Sequence, residues 1–497
     1  MGLESLWSLV SFAAISIIFF QIITYTYNIY FHPLKDYPGP YHAAASHIPL
    51  VYHILRGNPV FWTRDIHDEY DSDVVRVAPN ELSYRDARAW KDIYGHRKSG
   101  EQTIKKSPQF YEPPFEETPN LVLANDETHS RMRRIFSNAF SDRALKQQEP
   151  LFLEHVDKLI SVLRKSIETD PDEKFDMVKM YNYTTFDLMG DLTFGEGLHL
   201  LDGNKEMREW MAGILNSMIF GAILQSIRYF PMVEKLLMNC IPQSLHDKRL
   251  RHQRHSNERV DKRLKKESTK PDIWNLILKQ DEASGLSLAE MYSNADLFML
   301  AGTETTATLL SGVTFYLLKN PDKLKLLTDE LRTKCKADGD LTLENLAQLK
   351  YMHACLEEGL RMYPPVPNGL VRTVPPGGAE ICGQYVPPKT NIYASHYCTY
   401  RNSKNFRDPY EFIPERWTSP EYDSDIKSAL APFSIGPRNC LGQNLAYHQM
   451  RVILAKTLWH FDLSLCSESE NWADQKTFIL WSKGPLMCKL KPRSTLK

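Results

Sequence analysis

The sequence predicts one large, mainly α-helical domain with a small β-sheet region, carried behind a single N-terminal membrane-spanning helix. Three observations predict it. The first thirty residues are apolar almost throughout, the middle of the chain repeats apolar residues with helical period, and strand-like runs are few, short and placed toward the two ends of the remainder. A chain of 497 residues with 42% hydrophobic and 24% charged residues can build a core, which excludes wholesale disorder. Lys and Arg number 60 against 61 Asp and Glu, a net charge of −1, so the basic excess of a nucleic-acid binder is missing. Eight cysteines, at 240, 335, 355, 382, 398, 440, 466 and 488, form no C-x-x-C pair, which argues against a zinc ribbon or thioredoxin-like site. Reduced thiols in a body facing the cytosol are the expectation.

From Leu6 to Ile23 the polar interruptions are Ser8, Ser11, Ser16 and Gln21, and no Asp, Glu, Lys or Arg occurs between Glu4 and Lys35. About 20 apolar residues make a helix that crosses a bilayer. Trp7 at one end and Tyr25, Tyr27 and Tyr30 at the other suit the two interfaces. A cleaved signal is disfavoured by Glu4 at its start and by the lack of a small-x-small site. The first positive residues, Lys35 and Arg56, lie after the span and direct the body to the cytosolic side. The expected organisation is a membrane anchor over residues 1–31, a proline-rich hinge over 32–45 and one domain over 46–497. His32-Pro33-Leu34-Lys35-Asp36-Tyr37-Pro38-Gly39-Pro40 cannot continue a helix and reads as a stiff connector. On this topology the sequon Asn182-Tyr183-Thr184 stays unmodified.

In the body, helical patterns cover 145–167, 207–239, 288–319, 321–335, 343–362 and 441–459. Strand patterns cover 74–77, 380–381, 391–394, 477–481 and 486–490. No G-x-G-x-x-G opens a strand–turn–helix unit, so no built-in nicotinamide or flavin module is expected. The apolar segment 207–240 reads as core, as a substrate-entrance lid or as a surface that dips into lipid. The basic segment 246–266 reads first as a solvated helix face, with lipid headgroups or an acidic redox partner as the sharper alternative.

The stretch that carries chemistry is Phe433-Ser434-Ile435-Gly436-Pro437-Arg438-Asn439-Cys440-Leu441-Gly442, followed by an apolar helical pattern. A loop here delivers a thiolate to a helix N-terminus, where unpaired N–H groups favour negative charge on sulfur. Gly436 and Gly442 allow backbone to approach a flat cofactor. Arg438 can pair with a carboxylate on that cofactor, and Phe433 can pack beside the sulfur. This F-x-x-G-x-R-x-C-x-G pattern resembles the haem-binding loop of the cytochrome P450 family. Its five fixed residues coincide by chance about once in 10⁴ chains of this length, which sets aside a merely structural cysteine.

Companion motifs follow in the family's order. Segment 288–319 opens on a capping box, Ser287-Leu288-Ala289-Glu290, and ends at Asn320-Pro321. Near its middle Ala301-Gly302-Thr303-Glu304-Thr305-Thr306 is similar to the family's oxygen-activation motif, with Glu304 and Thr305 as an acid–alcohol pair that relays protons. Glu358 and Arg361 resemble the family's E-x-x-R, with Arg416 of Pro414-Glu415-Arg416-Trp417 as the partner that completes a buried structural network. His129 and Arg133, four apart on one helix face, and Arg372 match haem-propionate contacts. The resemblance implies haem b, axially ligated by Cys440, and insertion of one oxygen atom from O2 into a small apolar substrate. It implies electrons from an NADPH-cytochrome P450 reductase, with cytochrome b5 as an accessory donor, and a single-pass location in the endoplasmic reticulum membrane. The motif wording is most similar to fungal members of secondary-metabolite pathways, of the trichothecene hydroxylase-like kind, acting on a terpenoid, polyketide or alkaloid. A haem-thiolate isomerase or dehydratase and a non-catalytic haem sensor are the alternatives, and Glu304-Thr305 argues against the first. Pocket walls are expected at 207–224, 298–301, 366–370 and 478–480.

Overall fold

The apolar N-terminal run forms one helix, Leu3–Tyr30, in which residues 11–23 are exposed, Phe12 at 72% and Phe20 at 65%. Ser11–Tyr30 is long and apolar enough to cross a membrane. This computed structural model describes residues 3–97, 102–112, 118–239, 243–266, 270–277 and 285–493; Cys240, the end of the apolar segment discussed above, lies outside them. The connector after the N-terminal helix is packed onto the body. Leu34 is fully buried in a cluster with Trp90 and Tyr400. Arg76 donates to the Asn28 carbonyl (3.0 Å), and Asn28 Nδ2 donates to the Ala45 carbonyl (2.8 Å), so the last turn of this helix is bonded to the body.

The domain is organised around helix Leu288–Lys319, opened by the Ser287/Glu290 capping box and closed at Asn320 before Pro321, as the pattern predicts. It packs along Met177–Phe194, and behind them lie Asp142–Thr169, Lys350–Met362 and Gln443–His460. Met177–Phe194 is buried on nearly every face. It therefore shows no amphipathic stripe for sequence periodicity to find. Gly302 sits at the crossing, where a Cβ would lie 2.7 Å from the Met189 thioether, so its smallness serves helix packing as well as any ligand.

A five-stranded sheet forms one flank, ordered Val74–Ala78, Glu81–Tyr84, Asn391–Ala394, Arg372–Thr373 and Lys105–Lys106. Its parallel pairing sets Glu81 beside Asn391, and its antiparallel edge sets Lys106 opposite Arg372. A second sheet places Met487–Pro492 between Lys174–Asp176 and Phe461–Leu465.

Three predicted elements divide. Pro231 breaks 207–239 into Lys205–Ile227 and Pro231–Met238, because proline cannot donate to the preceding turn. The helix over 343–362 is two, Leu343–Ala347 and Lys350–Met362. The strand over 477–481 is a tight hairpin, Lys476–Thr477 and Trp481–Ser482, whose turn is Phe478 to Leu480. Helix Lys205–Ile227 also has the length and apolarity of a membrane span, yet Met207, Met211, Ile214 and Ala222 are buried against the body.

Glu358, Arg361 and Arg416 are brought together and fully buried. Arg361 forks onto both Glu358 oxygens (2.9 and 2.7 Å) and donates to the carbonyls of Tyr400, Pro409 and Glu411. Arg416 reaches Glu358 Oε1 (3.4 Å) and Asp425 Oδ2 (2.5 Å), and the Trp417 indole N–H donates to Glu358 (3.1 Å). Two guanidinium groups thus meet two carboxylates, so the cluster closes without net charge. Removing one member leaves an uncompensated buried ion, which costs about 3–5 kcal/mol. Glu358→Ala is therefore expected to lower stability by that amount in urea unfolding of the full chain. A loss below about 1 kcal/mol would show that Asp425 alone balances both arginines.

Candidate active site

Cys440 ends a loop that the backbone holds firmly: its N–H donates to the Phe433 carbonyl (2.8 Å), and Gly436–Arg438 forms one 3-10 turn. Ser434 takes φ 56 and Gly436 φ 74, so the loop carries two left-handed residues in three. Gly436 does not face the cavity. A Cβ there would lie 2.1 Å from the Tyr94 carbonyl oxygen, so the glycine is required by backbone crossing backbone and not, as the sequence reading has it, by approach to a cofactor. Gly442 does line the cavity. It also caps helix Gln443–His460, which starts three residues after the cysteine and not at 441 as predicted.

The thiol lies deep in the molecule and is nevertheless exposed, because it faces a cavity of about 330 Å³ in place of packed neighbours. The other walls are apolar or small: Phe298, Ala301, Gly302, Val366, Leu370 and Phe433 among them, with Thr305 and Thr306 from the long helix. The Phe433 ring lies against Tyr447 at 5.2 Å. Burial raises the Cys440 thiol above its ordinary pKa, while the Gly442 amide and the Arg133 guanidinium favour the thiolate.

Cations gather along one side. His129 and Arg133 line the cavity from helix Asp126–Ser137, and Arg438 joins them. Arg133 holds the Asn439 carbonyl and side chain (both 2.6 Å), which ties that helix to the residue before the cysteine. Arg438 donates to the Ala124 carbonyl (2.9 Å) and to Asp126 (2.6 Å). Burial, reinforced by Arg438, Lys106 and Arg133, lowers His129 to about 4. Arg372 is buried behind this wall, its guanidinium 5.6 Å from the Tyr94 ring, with Nε unpaired.

Sequence reasoning missed Lys106. It lines the cavity and stands opposite Arg372 on the adjacent strand. Like charges at facing strand positions repel. Burial, then Arg438 and Arg372, lowers Lys106 to about 6. A two-residue strand gives no periodic signal, and a lysine in a charged stretch reads as solvated. Among the described residues, three arginines, Lys106 and His129 beside one carboxylate, Asp126, at the rim of an apolar cavity form a donor set suited to a flat apolar group with its own carboxylates. The residues present therefore fit haem: Cys440 for the iron, and the cationic side, with the orphaned Arg372 Nε, for the propionates.

Glu304 and Thr305 part company. Thr305 lines the Cys440 cavity and donates to the Ala301 carbonyl (2.7 Å). Glu304 instead borders a neighbouring cavity of about 230 Å³, paired with Lys483, which also donates to Thr308 (2.6 Å). Successive helical residues are turned by about 100°, so an adjacent acid and alcohol do not share a face. The expected walls divide similarly. Phe298, Ala301, Val366 and Leu370 border the Cys440 cavity, whereas Ala212, Ile219, Phe478 and Leu480 border the neighbouring one.

The cytochrome P450 family model matches residues 59–490. The chain is 44% identical over 493 residues to the cytochrome P450 monooxygenase efuB of Hormonema carpetanum, covering 98% of this chain and 97% of that protein. It is 47% identical over 466 residues to the cytochrome P450 monooxygenase FUM2 of Gibberella moniliformis, covering 93% and 98%. It is 43% identical over 491 residues to the cytochrome P450 monooxygenase astA of Talaromyces wortmannii, covering 98% of each.

The Lys106–Arg372 juxtaposition separates a cofactor role from a structural one. Because Lys106 is lowered to about 6, the like-charge cost falls on the haem-free chain below that pH, where Lys106→Gln should stabilise it by about 0.2–1 kcal/mol. The same change should weaken haem retention by about 10- to 100-fold, the worth of a hydrogen bond to a charged group. Haem transfer to a competing apoprotein and urea unfolding of the haem-free chain read the two effects. If both move the same way, the cation serves the fold alone.

Proposed function

The chain belongs to the cytochrome P450 family, whose cofactor is haem held through a cysteine thiolate, and from that premise we propose that it inserts one oxygen atom from O2 into a small apolar metabolite of a fungal biosynthetic pathway. In this reading Cys440 is the iron ligand, and His129, Arg133, Arg372, Arg438 and Lys106 hold the propionates. When bound, haem supplies the activation of dioxygen. The residues around it do the rest. Phe298, Ala301, Val366 and Leu370 hold an apolar substrate and exclude water from it. The Thr305 hydroxyl holds a proton at the cavity wall, whereas Glu304, closed into its pair with Lys483 beside the neighbouring cavity, takes no direct part in that step. Glu358, Arg361 and Arg416 support the fold and take no part in the chemistry.

Electrons come in this reading from a membrane-bound NADPH-dependent reductase, with cytochrome b5 as an accessory donor. Helix Leu3–Tyr30 serves as a single-pass anchor in the endoplasmic reticulum membrane, ahead of the hinge at 32–45 and the domain at 46–497, with that domain on the cytosolic side. The single observation that carries the proposal is a deeply placed cysteine left unpacked in the same cavity as Thr305, Ala301 and Gly302. It is tested by giving the reconstituted chain, with reductase and NADPH, the metabolite that accumulates when the gene is deleted. Under isotopically labelled dioxygen the product should gain one labelled oxygen per insertion. Conversion without oxygen uptake would make it an isomerase or dehydratase, and no consumption of NADPH or oxygen would make it a sensor.

A further inference from the structure

The connector that follows helix Leu3–Tyr30 is not a loose tether. Arg76, 1% exposed, has no carboxylate at ion-pair distance among the described residues. It donates instead to the Pro79 carbonyl (3.1 and 2.7 Å) and to the carbonyl of Asn28 in the last turn of the span, where a cation also suits the negative end of the helix dipole. Its backbone N–H donates to the Pro38 carbonyl (2.7 Å), and a Cβ on Gly39 would lie 2.4 Å from the Arg76 carbonyl oxygen. Residues 38–40 are thus laid against strand Val74–Ala78, and helix Tyr41–Ala45 follows at once, tied back to Asn28 through Ala45. Four residues of helix advance about 6 Å, so Tyr41 stands about as far from Ala45 as the headgroup region on one side of a bilayer is deep, about 5–7 Å.

At that level lies an open pocket of about 310 Å³ between Tyr41 and helix Pro59–Glu69. Its aromatic walls are Tyr41, Trp62 and Tyr70, and Asp65 and Glu69 are among its polar ones. The Trp62 ring is fixed by its stack on His53 (4.6 Å), whereas Tyr41 is 75% exposed. Among the described residues none of the three rings stacks on another, so none covers its neighbour. Burial, then Glu69 and Tyr41, raises the Tyr70 hydroxyl above its ordinary pKa, which sets those three groups around one space. Asp65 is paired with Arg64 (2.6 Å), but Glu69 has no cation at ion-pair distance among the described residues. The pocket shares no wall with the Cys440 cavity or with the one beside Lys483.

Three aromatic rings beside an unpaired carboxylate attract a cation, drawn by the negative faces of the rings. A cation that surrenders water easily suits such walls better than a strongly hydrated ammonium. An anionic headgroup would meet Asp65 and Glu69 and be repelled. We propose that this pocket holds the quaternary ammonium of a phosphatidylcholine headgroup, and that the Arg76 clamp sets it at the depth where that group lies. One lipid held there pins the body at a second point beside the span and so sets the tilt of the domain on the bilayer. The proposal rests on the reading of helix Leu3–Tyr30 as a membrane anchor for its lipid, and not for the cation chemistry of the pocket.

Fluorine NMR of the full chain carrying 5-fluorotryptophan reads the pocket through Trp62, whose resonance is the one missing from Trp62→Phe. In nanodiscs of phosphatidylglycerol with rising phosphatidylcholine content, that resonance should move to saturation. Tyr41→Leu and Glu69→Gln, both at exposed positions, should each raise the phosphatidylcholine fraction that gives half the shift by about 2- to 5-fold, the worth of one exposed cation–π or ion-pair contact. No shift, or a shift that both variants share unaltered, would overturn the pocket. Choline chloride added to pure phosphatidylglycerol discs, at a concentration matching the phosphatidylcholine that saturates the pocket, should leave the resonance in place. An equal shift there would overturn the lipid as the source. A chain that does not enter the discs sinks the anchor reading, and a choline titration of that chain then judges the pocket alone. A saturable shift that Tyr41→Leu weakens upholds its cation chemistry, and no shift overturns it. Should Trp62→Phe fail to fold, Trp62→Tyr identifies the resonance in its place.

Discussion

Cys440 has to be held deep inside the molecule and yet kept free of packed neighbours, and much of the architecture answers to that constraint. A protein interior ordinarily closes over any void, since unfilled volume forfeits contacts on every side. Here the void is framed by rigid pieces. The long helix Leu288–Lys319 passes along one wall with Ala301 and Gly302 toward it. The cysteine loop is pinned by its own backbone to Phe433 and by Arg133 to helix Asp126–Ser137. Farther off, the neutral cluster of Glu358, Arg361, Arg416 and Asp425 locks Lys350–Met362 to the segment carrying Trp417. These groups never approach the sulfur; they keep the frame from relaxing inward.

Electrostatics adds a direction to the cavity. The chain as a whole is nearly neutral, but its charges are sorted: the cavity walls are apolar, and the cations collect on one side. Lys106 and Arg372 face each other across a strand pair, an arrangement that holds the lysine down to about 6 and that an anion between them would relieve. Glu304 and Lys483 are sorted the other way, into a closed pair on the far side of the long helix. The helix therefore separates a dry reaction space from a polar one, and adjacent residues, 304 and 305, face the two.

Legibility in the sequence followed the strength of the local signal. The long helix was readable to both ends because a capping box and an Asn-Pro stop bracket an apolar run. Cys440 and its loop were readable because five residues of one motif are fixed together. Met177–Phe194 was not, since full burial erases the polar face that periodicity depends on. Lys106 was hidden in a strand of two residues. The split of 207–239 was marked by Pro231, whose meaning a continuous apolar pattern obscured. Gly436 was recognised as needed, but for the wrong neighbour: only the folded chain brings Tyr94 beneath it. Side-chain direction was the general blind spot, as the parting of Glu304 from Thr305 illustrates.

The sulfur of Cys440 as ligand of a haem iron is the central assignment. Purified protein reduced and treated with carbon monoxide should show the long-wavelength Soret band that thiolate ligation produces, and Cys440→Ser should lose that band while keeping the folded far-ultraviolet circular dichroism of the parent. A parent spectrum without the shifted band, or a serine variant that retains it, would contradict the assignment.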